Sequence, residues 1–526
     1  FIIVRFLLQF IPERIVFMRF LIACMLMIPF VFALGCGGNG SGEADGTPPV
    51  VLFALDNGTD GAELGVTDGT PANTVMVKDI RVGASGADLS TPDDYVIVNR
   101  MAYFSADDGT SGRELWKSDG TEAGTVLVKD IYPGANGSAP AGFFAHNGFV
   151  FFRATDGVNG NELWRSDGTE AGTYMVKDIN VGANGSQPIE FAALGSVVLF
   201  AANDGTNGTE LWRTDGTEAG TYMVKDIWPG TGAAPAGPPA GIKDVAPGEN
   251  SSSPFGMTAF NGRVYFSAAS EVDGNPIGNE LWRSDGTEVG TVLVADLVPG
   301  TGSSSPAFFV QANGSLIFSA TNMLPVGPPA KTLKRGIGGG PRLYKTDGTQ
   351  AGTVLIREFP NFISSELVAY NDEVFFSVDD GVVDRELWKS NGTAAGTVLV
   401  KDIHQGGVTA KGIVSGSNPQ YLTAANGLLF FVATDSDNDR ELWRSDGTEA
   451  GTERVKNINP GDSAEIFALY KLDNPEDIFH LFKKGVVFGA DDGTNGIEPW
   501  FSDGSEAGTI LLGDFNVGGS SWSGRR

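Results

Sequence analysis

The feature that most constrains this chain is one segment, ELWRSDGTEAGTYMVKDI at residues 162–179. It returns almost unchanged at residues 114–131, 210–227 and 441–458. Weaker copies begin at Glu63, Glu280, Arg342, Glu386 and Glu498, which makes nine. They are marked by Asp68, Asp119, Asp167, Asp215, Asp285, Asp347, Asn391, Asp446 and Asp503. The intervals from Asp119 to Asp167 and from Asp167 to Asp215 are both 48 residues, and insertions stretch the others. Self-similarity at such a period signals a repeat architecture, in which each unit buries its apolar faces only against its neighbours.

Each copy reads as a β-hairpin. ELW followed by Arg or Lys is a short strand with an aromatic anchor. SDGTEAGT is a turn, where Gly reaches positive φ and Asp and Thr bond nearby backbone amides. TYMVKDI is apolar, rich in β-formers and bounded by turn signals, which fits a buried strand. Upstream, residues 143–145 and 149–154 flank Asn147-Gly148, a strong hairpin signal. The repeat therefore predicts four antiparallel strands, and the chain an all-β propeller of four-stranded blades. Nine copies predict nine blades in one closed ring. Because four to eight blades are usual, a ring of eight with a degenerate first or ninth copy is the alternative.

On these motifs the chain resembles the ELWxxDGT-repeat family of bacterial exported and cell-surface proteins. The resemblance runs from about Val50 onward. It implies export and a propeller-like β fold, and no known reaction. The hairpin is also similar to the Asp-box of sialidase-type propellers, with its residues in a different order. In both, the turn reads as structural.

Residues 1–36 read as a leader. Residues 1–17 do not begin with Met. From Met18, Arg19 precedes an apolar run over residues 20–34, then Gly35-Cys36, the pattern of a signal peptide. Ala33-Leu34-Gly35-Cys36 resembles a bacterial lipobox and makes Cys36 the expected lipidation site. Cys24, after Leu21-Ile22-Ala23, is the competing position, but it leaves almost no apolar run after Met18. Residues 37–48 form a Gly-rich tether, and residues 49–526 are the propeller. With Gly37 next, resemblance to Gram-negative lipoproteins implies the outer membrane. Plain secretion or an ordinary transmembrane anchor is the alternative. Both cysteines lie in the leader, so the folded part has neither a disulfide nor a Cys–metal site.

The formal charge is −28, and removing residues 1–35, which hold Arg5, Arg14, Arg19 and Glu13, makes it −30. Such a surface argues against nucleic-acid binding and suits a soluble, self-repelling, monomeric body. Three segments break the repeat most: residues 228–254, 322–342 and 405–417. The second carries Lys331, Lys334 and Arg335, one basic cluster in an acidic array. It reads either as a tolerated insertion or as a contact loop that draws an anionic partner.

Trp116, Trp164, Trp212, Trp282, Trp388, Trp443 and Trp500 share one repeat position, held by Tyr344 in the sixth copy and Gly65 in the first. Glu and Trp fall on one strand face, and Leu and the following Lys or Arg on the other. The expected role is packing between blades, with the cation pairing an acid next door. Stacking platforms for sugars are the alternative. The aspartates at 79, 130, 178, 226, 296, 402 and 514 are expected to cap turns.

The densest acidic turn, Asp435, Asp437, Asp439 and Glu441, is a candidate calcium site. Its pattern departs from the EF-hand, with Arg440 where Gly is needed. His146, His404 and His480 stand in no catalytic motif. A glycosidase-like carboxylate pair stays open, but nearly all carboxylates recur once per repeat, whereas a catalytic pair is singular. The expected function is an exported, lipid-anchored surface module for protein or glycan recognition, not an enzyme. A carbohydrate-active propeller enzyme and a purely structural envelope protein are the alternatives.

Overall fold

A computed structural model describes residues 51–521, apart from 84–85, 88, 90–94, 230–250, 273–274, 323–338, 362, 383, 406–415, 461 and 467–484. The leader, Cys24, Cys36, the tether, His480, and Lys331, Lys334 and Arg335 lie outside the described residues. So do most of the insertions at 228–254, 322–342 and 405–417.

Nine antiparallel sheets follow one another around a single nine-bladed propeller. The first sheet holds β1 (Val51–Asp56), β2 (Ala62–Thr67) and β3 (Val75–Lys78). The second holds β4 (Val96–Val98), β5 (Met101–Asp107), β6 (Arg113–Ser118) and β7 (Val126–Lys129). The third holds β8 (Ala141–His146), β9 (Phe149–Thr155), β10 (Asn161–Ser166) and β11 (Tyr174–Lys177). The next five repeat this order, innermost strand first. Among the described residues the first and ninth sheets have three strands each and the others four. The alternative of eight blades is thereby excluded. The helical content of the described residues is one 3-10 turn, Pro71–Asn73.

The β10–β11 turn shows why the motif recurs. Asp167 Oδ1 accepts the Thr169 amide at 2.9 Å and its hydroxyl at 2.7 Å, and Thr169 Oγ1 accepts the Gly172 amide at 2.9 Å. Thr173 donates back to the Thr169 carbonyl at 2.7 Å. A Cβ on Gly172 would lie 2.0 Å from Asp167 Oδ1, so the turn needs glycine there for space. These donors hold the Asp167 carboxyl below the usual range.

The core lies in the seams between blades. Val98, Tyr103, Leu115, Val128 and Ile131 of the second blade pack with Val150, Phe152, Ala154 and Trp164 of the third. Phe151, Leu163, Val176 and Ile179 of the third pack with Val198, Phe200, Ala202 and Trp212 of the fourth. Each Trp thus fills the seam toward the preceding blade, and its Leu neighbour fills the seam toward the next, as strand alternation requires. The ring closes where Phe53 and Leu55 of the first blade meet Val487 and Leu512 of the ninth.

One expectation is corrected. In the second to fifth blades the cation after ELW donates to a backbone carbonyl of the next blade rather than to an acid, whereas Lys389 and Arg444 pair with Glu373 and Glu453 of their own blades. Lys117 Nζ donates to the Gly168 carbonyl at 2.8 Å, Arg165 to that of Gly216 at 3.1 Å and Arg213 to that of Gly286 at 3.3 Å. The lysines of the outermost strands do the same, Lys129 to Thr173 O at 2.7 Å and Lys177 to Thr221 O at 2.8 Å. In each turn Asp and Thr side chains occupy amides, which leaves the carbonyls to the neighbour's cations.

Candidate functional site

The repeat carboxylates are the first place to look for chemistry, and most are committed to the backbone. Glu63, Glu114, Glu162, Glu210, Glu280, Glu386, Glu441 and Glu498 are completely buried. Glu162 accepts the amides of Ile179 at 3.0 Å, Asn180 at 3.2 Å and Ser186 at 2.8 Å, and the Ser186 hydroxyl at 2.5 Å. It thereby ties down both ends of the connection from the third blade to the fourth. The same bonds survive long insertions. Glu210 reaches Ser252 across residues 228–251, its carboxylate accepting that amide at 2.8 Å, and Glu386 accepts the Ser417 amide at 2.8 Å.

Burial pushes these carboxyls up, and the converging donors only partly offset it. Glu63, Glu162, Glu280 and Glu441 rise to about 7 and Glu210 to about 8. A carboxyl titrating near neutrality is what a catalytic acid needs. These eight recur once per blade and are sealed from solvent, so the perturbation belongs to the scaffold. Sequence reading placed this Glu on the Trp face and missed its role, because its partners are backbone amides 17 to 24 residues downstream.

The seven Trp side chains and Tyr344 are buried in the seams, out of reach of a ligand. Lys456 lies 5.6 Å from the Trp500 ring centre and Arg357 4.6 Å from that of Trp388, so the clamping cations also cover the rings.

The acidic turn of the eighth blade does not gather its four carboxylates. Asp435 Oδ1 accepts the amides of Asp437 at 2.9 Å and Asp439 at 3.1 Å. Arg454 bridges Asp435 at 3.2 Å and Asp439 at 2.8 Å. Glu441 points into the blade, where it accepts the Asn459 amide at 3.2 Å. Among the described residues no group of three or more His, Cys, Asp or Glu is placed to hold a metal. Calcium at this turn would have to compete with Arg454. His146 ends the innermost strand of the third blade, and His404 is buried near Asp384.

A different position varies from blade to blade. Five residues before each inner hairpin turn stand Gly142, Glu190, Gly256, Phe308, Glu366 and Tyr421. The innermost strand bulges here. The third blade, for example, pairs Ala141 with Arg153 and next Phe144 with Phe151. Gly142, Glu190, Gly256, Phe308 and Tyr421 all have positive φ, between 56° and 67°. Three of these five are not glycine, so the bulge is enforced by its surroundings rather than by residue preference. Glu190 Oε2 accepts the Gly256 amide of the next blade at 2.8 Å, and Glu366 that of Leu422 at 3.0 Å. Phe308 is 40% exposed. Phe144 and Phe191 stack across adjacent innermost strands with ring centres 5.9 Å apart. No periodicity of the sequence singles this position out. Its signal is the absence of a consensus.

The chain matches no protein-family model and no curated protein. Among solved structures it is similar to a prolyl endopeptidase at 12% identity and a TM-score of 0.38, over 71% of this chain and 49% of that one. It is also similar to puromycin hydrolase, at 12% identity and a TM-score of 0.32, over 73% of this chain and 56% of that one. A mutant of that hydrolase gives 12% identity and 0.35, over 75% and 56%. The chain thus spans about half the length of these structures. At such values the likeness assigns neither a reaction nor a substrate to it.

Proposed function

We propose that this chain is a non-enzymatic binding module of the bacterial envelope, an ELWxxDGT-type propeller exported and anchored through lipid on Cys36. Its ligand is a surface protein or glycan, read by the bulge residues of the innermost strands. The observation that carries this reading is the contrast between two kinds of repeat position. Glu, Trp and the turn Asp recur in almost every blade and are committed to the scaffold. The bulge position carries glycine, carboxylate or aromatic side chains in different blades, among them the exposed Phe308. A scaffold requires uniformity, whereas recognition of one asymmetric ligand requires differences around the ring. The basic loop with Lys331, Lys334 and Arg335 supplies a second contact for anionic partners.

The test is a glycan and cell-binding array run on residues 37–526 beside a hydrolase screen. Phe308→Ala is expected to weaken binding without lowering the melting temperature much, since an exposed position costs little. Replacing Lys331, Lys334 and Arg335 with Ser should remove the salt-sensitive part of binding. Turnover of an array glycan abolished by Glu190→Gln would overturn the reading in favour of an enzyme. Cys36→Ser should release the protein from membrane fractions, and unchanged fractionation would argue against the anchor.

A further inference from the structure

Where the fourth blade meets the fifth, the bulge amides hold a carboxylate. Glu190 Oε2 accepts the Gly256 amide at 2.8 Å and the Met257 amide at 3.4 Å. The seam between the third and fourth blades is built alike, with one part changed. Its bulge amides are those of Glu190 and Phe191, and the backbone conformation is the same, with φ of 59° at Glu190 and 67° at Gly256. The counterpart of the Glu190 side chain, however, is Gly142, which offers no carboxylate. A Cβ on Gly142 would meet only Phe191 Cε2, at 3.9 Å, so the ground before it is open.

A cation stands beside this opening. Arg153 lies directly opposite both Ala141, the residue before Gly142, and Leu163. Opposed residues share a sheet face, so Arg153 projects, as Leu163 does, into the seam toward the fourth blade. The other eight blades carry Ala, Ser, Val or Gly at this register position, among them Ala201 in the fourth and Ser267 in the fifth. Arg153 is half-buried, and its guanidinium makes no hydrogen bond or ion pair with another described residue. A partly desolvated cation gains most from an anion that meets it with good geometry. In the same seam Phe144 and Phe191, both half-buried, stack with an interplanar angle of 22°.

We infer that the inner end of this seam is a carboxylate site, in which a uronic acid residue of a glycan supplies the carboxylate that Gly142 does not. Arg153 and the bulge amides of Glu190 and Phe191 take the carboxylate, and the two Phe rings take the apolar face of the sugar. The seam between the fifth and sixth blades shows what the cation adds. Gly256 leaves that seam without a carboxylate too, but Ser267 stands where Arg153 stands. A flat aromatic platform suits a pyranose ring. A peptide end would need a pocket for its last side chain, and the apolar cavity of about 300 Å3 lies elsewhere, beside Leu52, Leu64 and Phe104. The inference rests on the bulge residues being the ligand site and names the ligand class.

The test is calorimetry on residues 37–526 with tetragalacturonate and with its methyl ester, which keeps the rings and removes the charge. The acid should bind, and the ester should bind roughly tenfold or more weakly, the loss expected for charge-assisted hydrogen bonds. Arg153→Ser should weaken the acid by a similar factor and leave the ester unchanged. Gly142→Glu should abolish binding by seating a protein carboxylate there, as Glu190 does one seam on, whereas Gly256→Glu should not. Melting temperatures check that each variant is folded. No binding of the acid, equal binding of acid and ester, or acid binding untouched by Arg153→Ser and Gly142→Glu would overturn the inference. So would an Arg153-dependent preference for a peptide with a free C-terminal carboxylate over the tetrauronate. Array binding lost with Phe308→Ala but indifferent to Arg153→Ser would overturn this inference alone and leave the bulge residues as the ligand site.

Discussion

Between the third and fourth blades, Trp212 and Phe200 pack with Phe151 and Leu163, while Arg165 and Lys177 bond carbonyls of the fourth blade's turn. Between the ninth and first blades Phe53 keeps the place of Phe200, and the other parts are changed. Gly65 stands at the Trp position, and Phe501 and Gly513 stand where the two cations stand. The buried cluster shrinks to Phe53, Leu55, Val487 and Leu512. Leu55 replaces the Ala found at 154 and 202, and a Cβ on Gly65 would come within 2.7 Å of Leu55 Cβ. Large and small have exchanged places, so the seam is filled, with a smaller fully buried cluster and with Phe501 and Gly513 at the two cation positions.

Breaking the ordinary seam should have the largest effect. Trp212→Ala removes a buried aromatic and should cost about 3–5 kcal/mol, read from the urea midpoint. Gly65→Trp should not be the mirror-image gain, because Leu55 already occupies the space, and overpacking costs about 1–3 kcal/mol. Adding Leu55→Ala to Gly65→Trp restores the arrangement of the other blades and should recover the loss. If Gly65→Trp alone stabilises the protein, the exchange of large and small is misread.

The clamps come next. Lys177→Met leaves the Thr221 carbonyl without its charged donor and should cost about 1.5–3 kcal/mol. Gly513→Lys should raise the melting temperature by supplying the missing clamp. A drop in melting temperature would mean that the first blade's turn is out of reach.

A smaller effect spread over the ring is pH dependence. Glu63, Glu162, Glu280 and Glu441 titrate at about 7 and Glu210 at about 8 when folded, against an ordinary 4.5. The folded state therefore holds more protons than the unfolded state between these values, and stability falls as pH rises from about 5 to 8. The turn aspartates Asp167, Asp215, Asp285 and Asp446 are lowered, so their contribution is lost only in acid, below their ordinary range. Melting temperature should peak near pH 5 and decline toward pH 8, and Glu210→Gln should flatten the decline. A melting temperature that climbs from pH 5 to 8 would contradict the assignment.

Much of this organisation was legible in the sequence. Asn147-Gly148, the alternation in FVFFRA and the SDGTEAGT turn set the hairpins, and nine copies gave nine blades. Gly65 stood out as an anomaly, but its partner Leu55 could be recognised only with both side chains in one seam. The cations were expected on acids of the next blade because sequence shows charges and not the carbonyls that a turn turns outward; Lys389 and Arg444 do meet acids, Glu373 and Glu453, but within their own blades. The buried Glu was hidden for a related reason, since its partners are amides and carry no residue signature. The bulge residues were missed because they follow no pattern, which is also the reason they are the candidate site.

The account rests most on the first and ninth blades meeting in one closed ring. Thr59 and Val517 are exposed and flank the contact of Gly58 with Asn516. Thr206 and Val181 flank the matching contact of Gly205 with Asn180, between blades joined by a covalent connection. Spin labels on cysteines at each pair, in residues 37–526, allow the two distances to be compared by pulsed electron resonance. A closed ring predicts the same short, narrow distribution for 59/517 as for 181/206. A long or broad distribution for 59/517 beside a short one for 181/206 would contradict it.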